Sequence, residues 1–165
     1  MADSLKILVP IGFSEQSLTA LDQALVFAKA AGQAEITVLT VIEEGNSLFT
    51  KLFSSEKKPE SLRDDVSAKL KETVAPYAEK TGLEIHTMIA RGVVYSEIAR
   101  VSELIEADLV IMGTNGKPQN FRKRFIGSNA YRTATLVKPP VVTIKGVRKI
   151  EQINTIIFPL VLDRR

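Results

Sequence analysis

Four residues stand out for the chemistry their spacing allows: Gly113, Gly116, Gly127 and Ser128. They open and close the stretch GTNGKPQNFRKRFIGS, which follows the apolar run ADLVIM. Glycine lets a backbone approach a ligand closely or take up positive φ. Gly127 and Ser128 stand at the start of a short helical pattern, where unpaired N–H groups and the helix dipole favour an anion. The Ser128 hydroxyl adds a further hydrogen bond. The spacing therefore sets two groups of backbone donors around one pocket, as a cradle for phosphates would need; the alternative is an ordinary polar loop. Lys117 directly follows Gly116, but the G-x4-G-K-[ST] spacing of a P-loop is absent, so it is not read as a catalytic lysine. Arg122 to Arg124 read as a solvated basic loop rather than as phosphate ligands.

Other chemistry is narrowed by what the chain lacks. It has no cysteine, which excludes disulfides and thiolate chemistry and fits a reducing compartment. With His86 as the single histidine, a histidine-based metal site or a Ser-His-Asp triad is hard to build. His86 shares a strand face with Glu84 and Met88 and reads as a partly exposed structural histidine. Glu43 and Glu44 read as a solvated strand end rather than as metal ligands. Asp64 and Asp65 complement the start of a helix, Asp108 orders the turn before a strand, and Ser96 helps start a helix. No nucleophile or poised general base is evident, so no strong catalyst is expected. The net charge of +3 is too small to argue for nucleic acid as a partner. No apolar run approaches the roughly 20 residues of a membrane helix, and MADSLKILVP lacks a secretory n-region and cleavage site.

The elements that must position these residues follow from periodicity. LKILVP, EITVLTVIEE, GLEIHTMIARG, ADLVIMG and PPVVTIKG read as five strands. Between the first two, Ser14 stands as an N-cap, Leu18, Leu21, Leu25 and Ala28 recur at helical spacing, and Gly32 stands as a C-cap residue. A second helix is expected over Glu60 to Lys80, with Leu62, Val66, Leu70, Val74 and Tyr77 as its core stripe and a kink or break near Val74 caused by Pro76. YSEIARVSELIEA reads as a third helix with Ile98, Val101 and Ile105 inward, and Ser128 to Val137 as a fourth. Helices alternating with strands define an α/β fold with a parallel sheet. Residues 45–59 have no clean period, and Leu48, Phe49, Leu52 and Phe53 within them should pack against something. The domain is placed at residues 1–147. Residues 148–165 form an extension whose INTIIFPLVLD echoes LKILVPIGFS, either as the truncated start of a second repeat or as a strand native to a single domain.

The order of ILVPIGFSE, ALDQALVFA, ARGVVYSEIAR, ADLVIMGTNGK, GSNAYRTA and PPVVTIK resembles the universal stress protein family over almost the whole chain, and in particular the first domain of a tandem member. The resemblance implies a five-stranded parallel sheet of order 3-2-1-4-5 with helices on both faces, an adenine-nucleotide α-hydrolase-like fold. Nucleotide-binding members carry G-x2-G-x9-G-[ST] after strand four; ten residues separate Gly116 from Gly127 here, one more than usual. The resemblance implies a nucleotide site at Pro10, Ile11, Gly12, Val41, Met112, Gly113, Gly116, Gly127, Ser128, Asn129 and Ala130. Val41 matches the position whose backbone lies against adenine. Gly12 occupies the position of an aspartate that helps hold the nucleoside, and losing such a charge-assisted hydrogen bond costs about 1.5–3 kcal/mol. The implied function is that of a cytoplasmic stress-response regulator binding ATP, with Mg²⁺ as a possible companion and at most slow hydrolysis. The implied assembly is a homodimer through Val141 to Ile144 or through the extension. The rival is a dimeric interaction module of the same fold that binds no nucleotide. A nucleotidyl-transferring enzyme is disfavoured because the glycine- and serine-rich loop or HxGH-like signature expected after strand one is missing.

Overall fold

The computed structural model describes residues 4–43, 59–114 and 128–146, with the side chains of Pro59, Glu60 and Ser128 left out. Among the described residues, five strands and four helices alternate: β1 (Leu5–Pro10), α1 (Glu15–Ala31), β2 (Ala34–Ile42), α2 (Pro59–Thr81), β3 (Ile85–Arg91), α3 (Val94–Leu104), β4 (Leu109–Gly113), α4 (Ser128–Leu136) and β5 (Val141–Ile144). All strand pairs are parallel and the sheet order is β3-β2-β1-β4-β5. Both the α/β class and the order expected above are therefore found. The order places β1 between β2 and β4, so chain connections leave it in opposite directions, and the carboxyl ends of these strands form one edge. Open parallel sheets bind ligands at such a point.

Side-chain alternation along β1 explains why both faces are covered. Ile7, Val9 and Ile11 enter one apolar cluster with Leu21 and Ala24 of α1 and Leu70 and Val74 of α2. Leu8 points the other way, into a cluster with Ile98 and Val101 of α3 and Ala130 of α4. Ile7, Leu8, Val9, Ile36, Val38 and Leu39 are fully removed from solvent. A strand buried on both faces needs an unbroken apolar run, as KILVP and ITVLTVI provide.

The helix ends show which local signals hold. Ser14 is extended and its Oγ accepts from the Ser17 N–H at 3.3 Å, capping α1 as expected. Gly32 closes that helix at φ 81°. Pro76 does not bring the break that was one of the two expected outcomes: it lies inside one helix that continues from Pro59 to Thr81. Pro76 and Glu72, whose carbonyl loses its partner, are both exposed, so water can take the unpaired carbonyl. Ser96 does not start α3. The cap is Val93, which has no side-chain hydrogen bond, and Gly92 makes the turn before it at φ 145°. The Gly92 N–H donates to the Ile42 carbonyl at 3.0 Å, fixing the turn to β2. Asp108 performs its expected role: its Oδ2 accepts from the Lys6 N–H at 2.9 Å, and its own N–H donates to the Lys6 carbonyl at 2.9 Å. His86 is exposed beside Glu84, with Nε2 3.6 Å from Oε1.

Leu48, Phe49, Leu52, Phe53, Glu44 and the extension 148–165 lie outside the described residues. Among the described residues no helix is long and apolar enough to cross a membrane.

Candidate functional site

The carboxyl edge of β1 is shaped by its own hydrogen bonds. The Ile11 N–H donates to the Leu39 carbonyl at 2.8 Å, and the Ile11 carbonyl accepts from the buried Thr40 Oγ1 at 3.3 Å. The chain then turns sharply. Gly12 is exposed, and Phe13 takes φ 59°, an uncommon conformation for a bulky residue. Phe13 packs beside Ile42 and Val66, and this anchoring holds the backbone in place. Ser17 Oγ closes the turn by donating to the Ser14 carbonyl at 2.8 Å and accepting from the Gly12 N–H at 3.3 Å. That amide is thereby engaged by the protein. Ser17 escapes a reading of the sequence, because in the sequence it is one more polar residue in a first helical turn.

The glycines at the edge have different reasons to be glycine. A Cβ built on Gly12 meets nothing within 4 Å. A Cβ on Gly113 would sit 2.6 Å from the Gln16 carbonyl oxygen and 2.9 Å from the Ser17 nitrogen. Gly113 is not among the glycines with positive φ. The close approach of α1 to the end of β4 requires the glycine here, and the positive φ that the sequence offered as one option is not found. Thr114, one residue on, is buried and tied to β5: its N–H donates to the Ile144 carbonyl at 2.9 Å and its Oγ1 to the same oxygen at 3.3 Å. β4 and its exit are therefore fixed between α1 and β5.

Val41, Met112 and Ala130, from the ends of β2 and β4 and the first turn of α4, meet in one apolar cluster and are each at least nine-tenths buried. Pro10 and Ile11 end the strand between β2 and β4, and Asn129 stands half-buried beside Ala130. α4 is held to α3 by Arg132, whose guanidinium carbon lies 5.0 Å from the Tyr95 ring centroid, and by the Lys138–Glu103 pair at 3.0 Å beyond its end. Gly116, Lys117, Arg122 to Arg124, Gly127 and the Ser128 side chain lie outside the described residues. Of the expected site residues, the described ones thus gather at the carboxyl edge and the adjoining start of α4. No group of three His, Asp or Glu residues among those described could hold a metal ion.

One concavity was not foreseen from the sequence. A cleft of about 570 Å³ opens at the carboxyl ends of β2 and β3, where Ile42 and Arg91 are paired in register. Its walls come from α2 and α3. The only sequence signal is an arginine ending β3, followed directly by the turn glycine Gly92.

A doubly covered parallel sheet with a ligand-accepting edge at β1 and β4 is the architecture of an adenine-nucleotide α-hydrolase-like domain. The chain belongs to the Universal stress protein family, whose profile it matches over residues 4–145. It is 32% identical over 145 residues to universal stress protein MJ0531 of Methanocaldococcus jannaschii, covering 87% of this chain and 84% of the relative. The solved structure of MJ0577, a universal stress protein of the same organism, superposes with a TM-score of 0.66 at 26% identity, covering 86% of this chain and 96% of that one. Two more distant structures share the fold. One is a universal stress protein in complex with cAMP (19% identity, TM-score 0.63, covering 87% of this chain and 98% of that one). The other is an Arabidopsis thaliana family member with AMP bound (18%, TM-score 0.60, 86% and 91%).

Proposed function

We propose that this chain is a cytoplasmic regulatory protein of the stress-response type that binds ATP at the carboxyl edge of β1, β2 and β4. The observation that supports the reading is that Val41, Met112 and Ala130, from the ends of β2 and β4 and the start of α4, belong to one buried apolar cluster that reaches that edge. An apolar wall beside a helix N-terminus suits a base at one end of a ligand and phosphates at the other. Gly116, Gly127 and Ser128 supply the phosphate donors in this reading, by their spacing in the sequence and their position before α4. Family members of the same fold solved with cAMP and with AMP support adenine as the base. Mg²⁺ would accompany the phosphates, and the protein would signal through shape and partners rather than through turnover.

Gly12 favours a second reading, a dimeric interaction module that binds no nucleotide, since no carboxylate stands at the end of β1. In either reading β5 lies at one edge of the sheet and offers Val141 to Ile144 to a second copy of the chain. Light scattering that detects only monomer would remove that assembly.

Titration calorimetry with ATP and Mg²⁺ separates the two readings. The nucleotide reading expects weak binding by the natural chain, tighter binding by Gly12→Asp and none by Gly127→Val. Absence of heat from all three proteins would leave the interaction module.

A further inference from the structure

Among the described residues, the cleft at the carboxyl ends of β2 and β3 shares no lining residue with the site proposed above. Its apolar part comes from three elements: Ile42 of β2, Leu62 of α2 and Ile89 of β3. Among the described residues, its charged lining consists of Arg63, Arg91, Arg100 and Glu97. Glu97 is committed to one of the arginines: its Oε2 lies 2.8 Å from Arg100 Nη2 and accepts from Arg100 Nε at 2.9 Å. Arg91 is exposed at the end of β3 and has an interaction of its own. Arg63 is exposed on the second turn of α2.

This combination is unlike a solvated basic surface. A solvated surface is convex and spreads its arginines over polar neighbours. Here the guanidinium groups border a concavity within the roughly 300–1,000 Å³ typical of small-molecule sites. Its apolar patch gives a ligand body a place to leave water. The planar fork of arginine matches carboxylate and phosphate oxygens. The cleft also lies on the carboxyl edge, where the loops of a parallel sheet receive ligands.

We propose that this cleft is a second ligand site, for a small organic anion with an apolar body: a carboxylate or phosphate monoester whose head meets Arg63 and Arg91 and whose body lies on Ile42, Leu62 and Ile89. The proposal goes beyond the nucleotide reading and stands without it.

Amide chemical-shift mapping on the full chain tests this with phenyl phosphate, benzoate and inorganic phosphate as probes. Saturable shifts are expected at Leu62, Arg63, Ala90 and Arg91 with phenyl phosphate or benzoate, and the tighter of the two assigns the head group. Arg63→Glu, on an exposed helix position, should weaken that binding about tenfold or more. Any shifts at Gly113 and Asn129 should persist in this variant. Four results would overturn the site. The first is the absence of saturable shifts, or shifts confined to Gly113, Asn129 and Ala130. The second is an Arg63→Glu variant that binds like the natural chain. The third is inorganic phosphate binding as tightly as phenyl phosphate, which would leave the apolar patch without a role. The fourth is an ATP titration that moves both sets of amides with one midpoint, which would merge the cleft with the nucleotide site. A failure of ATP binding alone would leave the cleft result unchanged, so the two readings fall separately.

Discussion

Gly12 lies two residues past the end of β1 and Gly113 ends the neighbouring strand β4, and the space around the two differs. Around Gly12 a Cβ would meet no described atom within 4 Å, and its backbone φ is not positive. At Gly113 the space is already filled by the backbone of α1, 2.6 Å from where a Cβ would be. One glycine leaves room beside the proposed ligand; the other lets a helix pack onto the sheet. A glycine at a strand end is therefore not in itself a ligand signal, because the demand for a missing Cβ can come from within the protein.

The sharpest way to break this contrast is to add side chains at both positions. Gly113→Val should cost about 3 kcal/mol, because the clash is with backbone, which cannot swing aside as a side chain can. In a domain of this size that corresponds to a fall in melting temperature of roughly 6–12 °C. An unchanged melting curve would show that α1 and β4 can separate freely. Gly12→Asp should leave stability within about 0.5 kcal/mol. In the nucleotide reading it should tighten ATP binding about ten- to a hundredfold, measured by calorimetry. A large loss of stability in Gly12→Asp would mean that the open space is required by the fold.

Smaller substitutions sharpen the comparison by testing what holds each strand end. Ser14→Ala removes the cap of α1 and leaves the Ser17 N–H without its side-chain acceptor. It should cost about 1 kcal/mol in chemical denaturation. Because α1 is the helix against which Gly113 packs, Ser14→Ala and Gly113→Val should be non-additive in a double-mutant cycle. Arg132→Ala, which removes the stacking of α4 on Tyr95, should cost about 0.5–1 kcal/mol. A larger loss in Arg132→Ala than in Ser14→Ala would show that α4, rather than α1, controls the edge.

Particular elements show how far the sequence was readable. The apolar runs KILVP and LVIM, the alternation of strands with amphipathic helices, and the caps Ser14 and Gly32 each act over a few residues, so their signals survive in one dimension. Pro76 does not break α2, because with Pro76 and Glu72 both exposed water relieves the lost hydrogen bond. Ser96 misled because a β3–α3 turn made by Gly92 moved the helix start forward. The proposed nucleotide-site residues follow from the family resemblance, whereas Ser17, the Phe13 turn and the arginine cleft do not. Those three depend on groups from separate elements meeting, and no spacing in the chain encodes that meeting directly.

By itself the sequence determined the class of fold, the positions of most elements and the stretch around which a phosphate site could form, because backbone conformation and apolar periodicity are local properties. Only the tertiary structure decided that Gly113 serves helix packing, that the Gly12 amide is taken by Ser17, and that Arg63, Arg91 and Arg100 border one cleft. Each of these is a distance between residues that the chain separates and the sheet brings together, and so each is fixed by packing rather than by local preference.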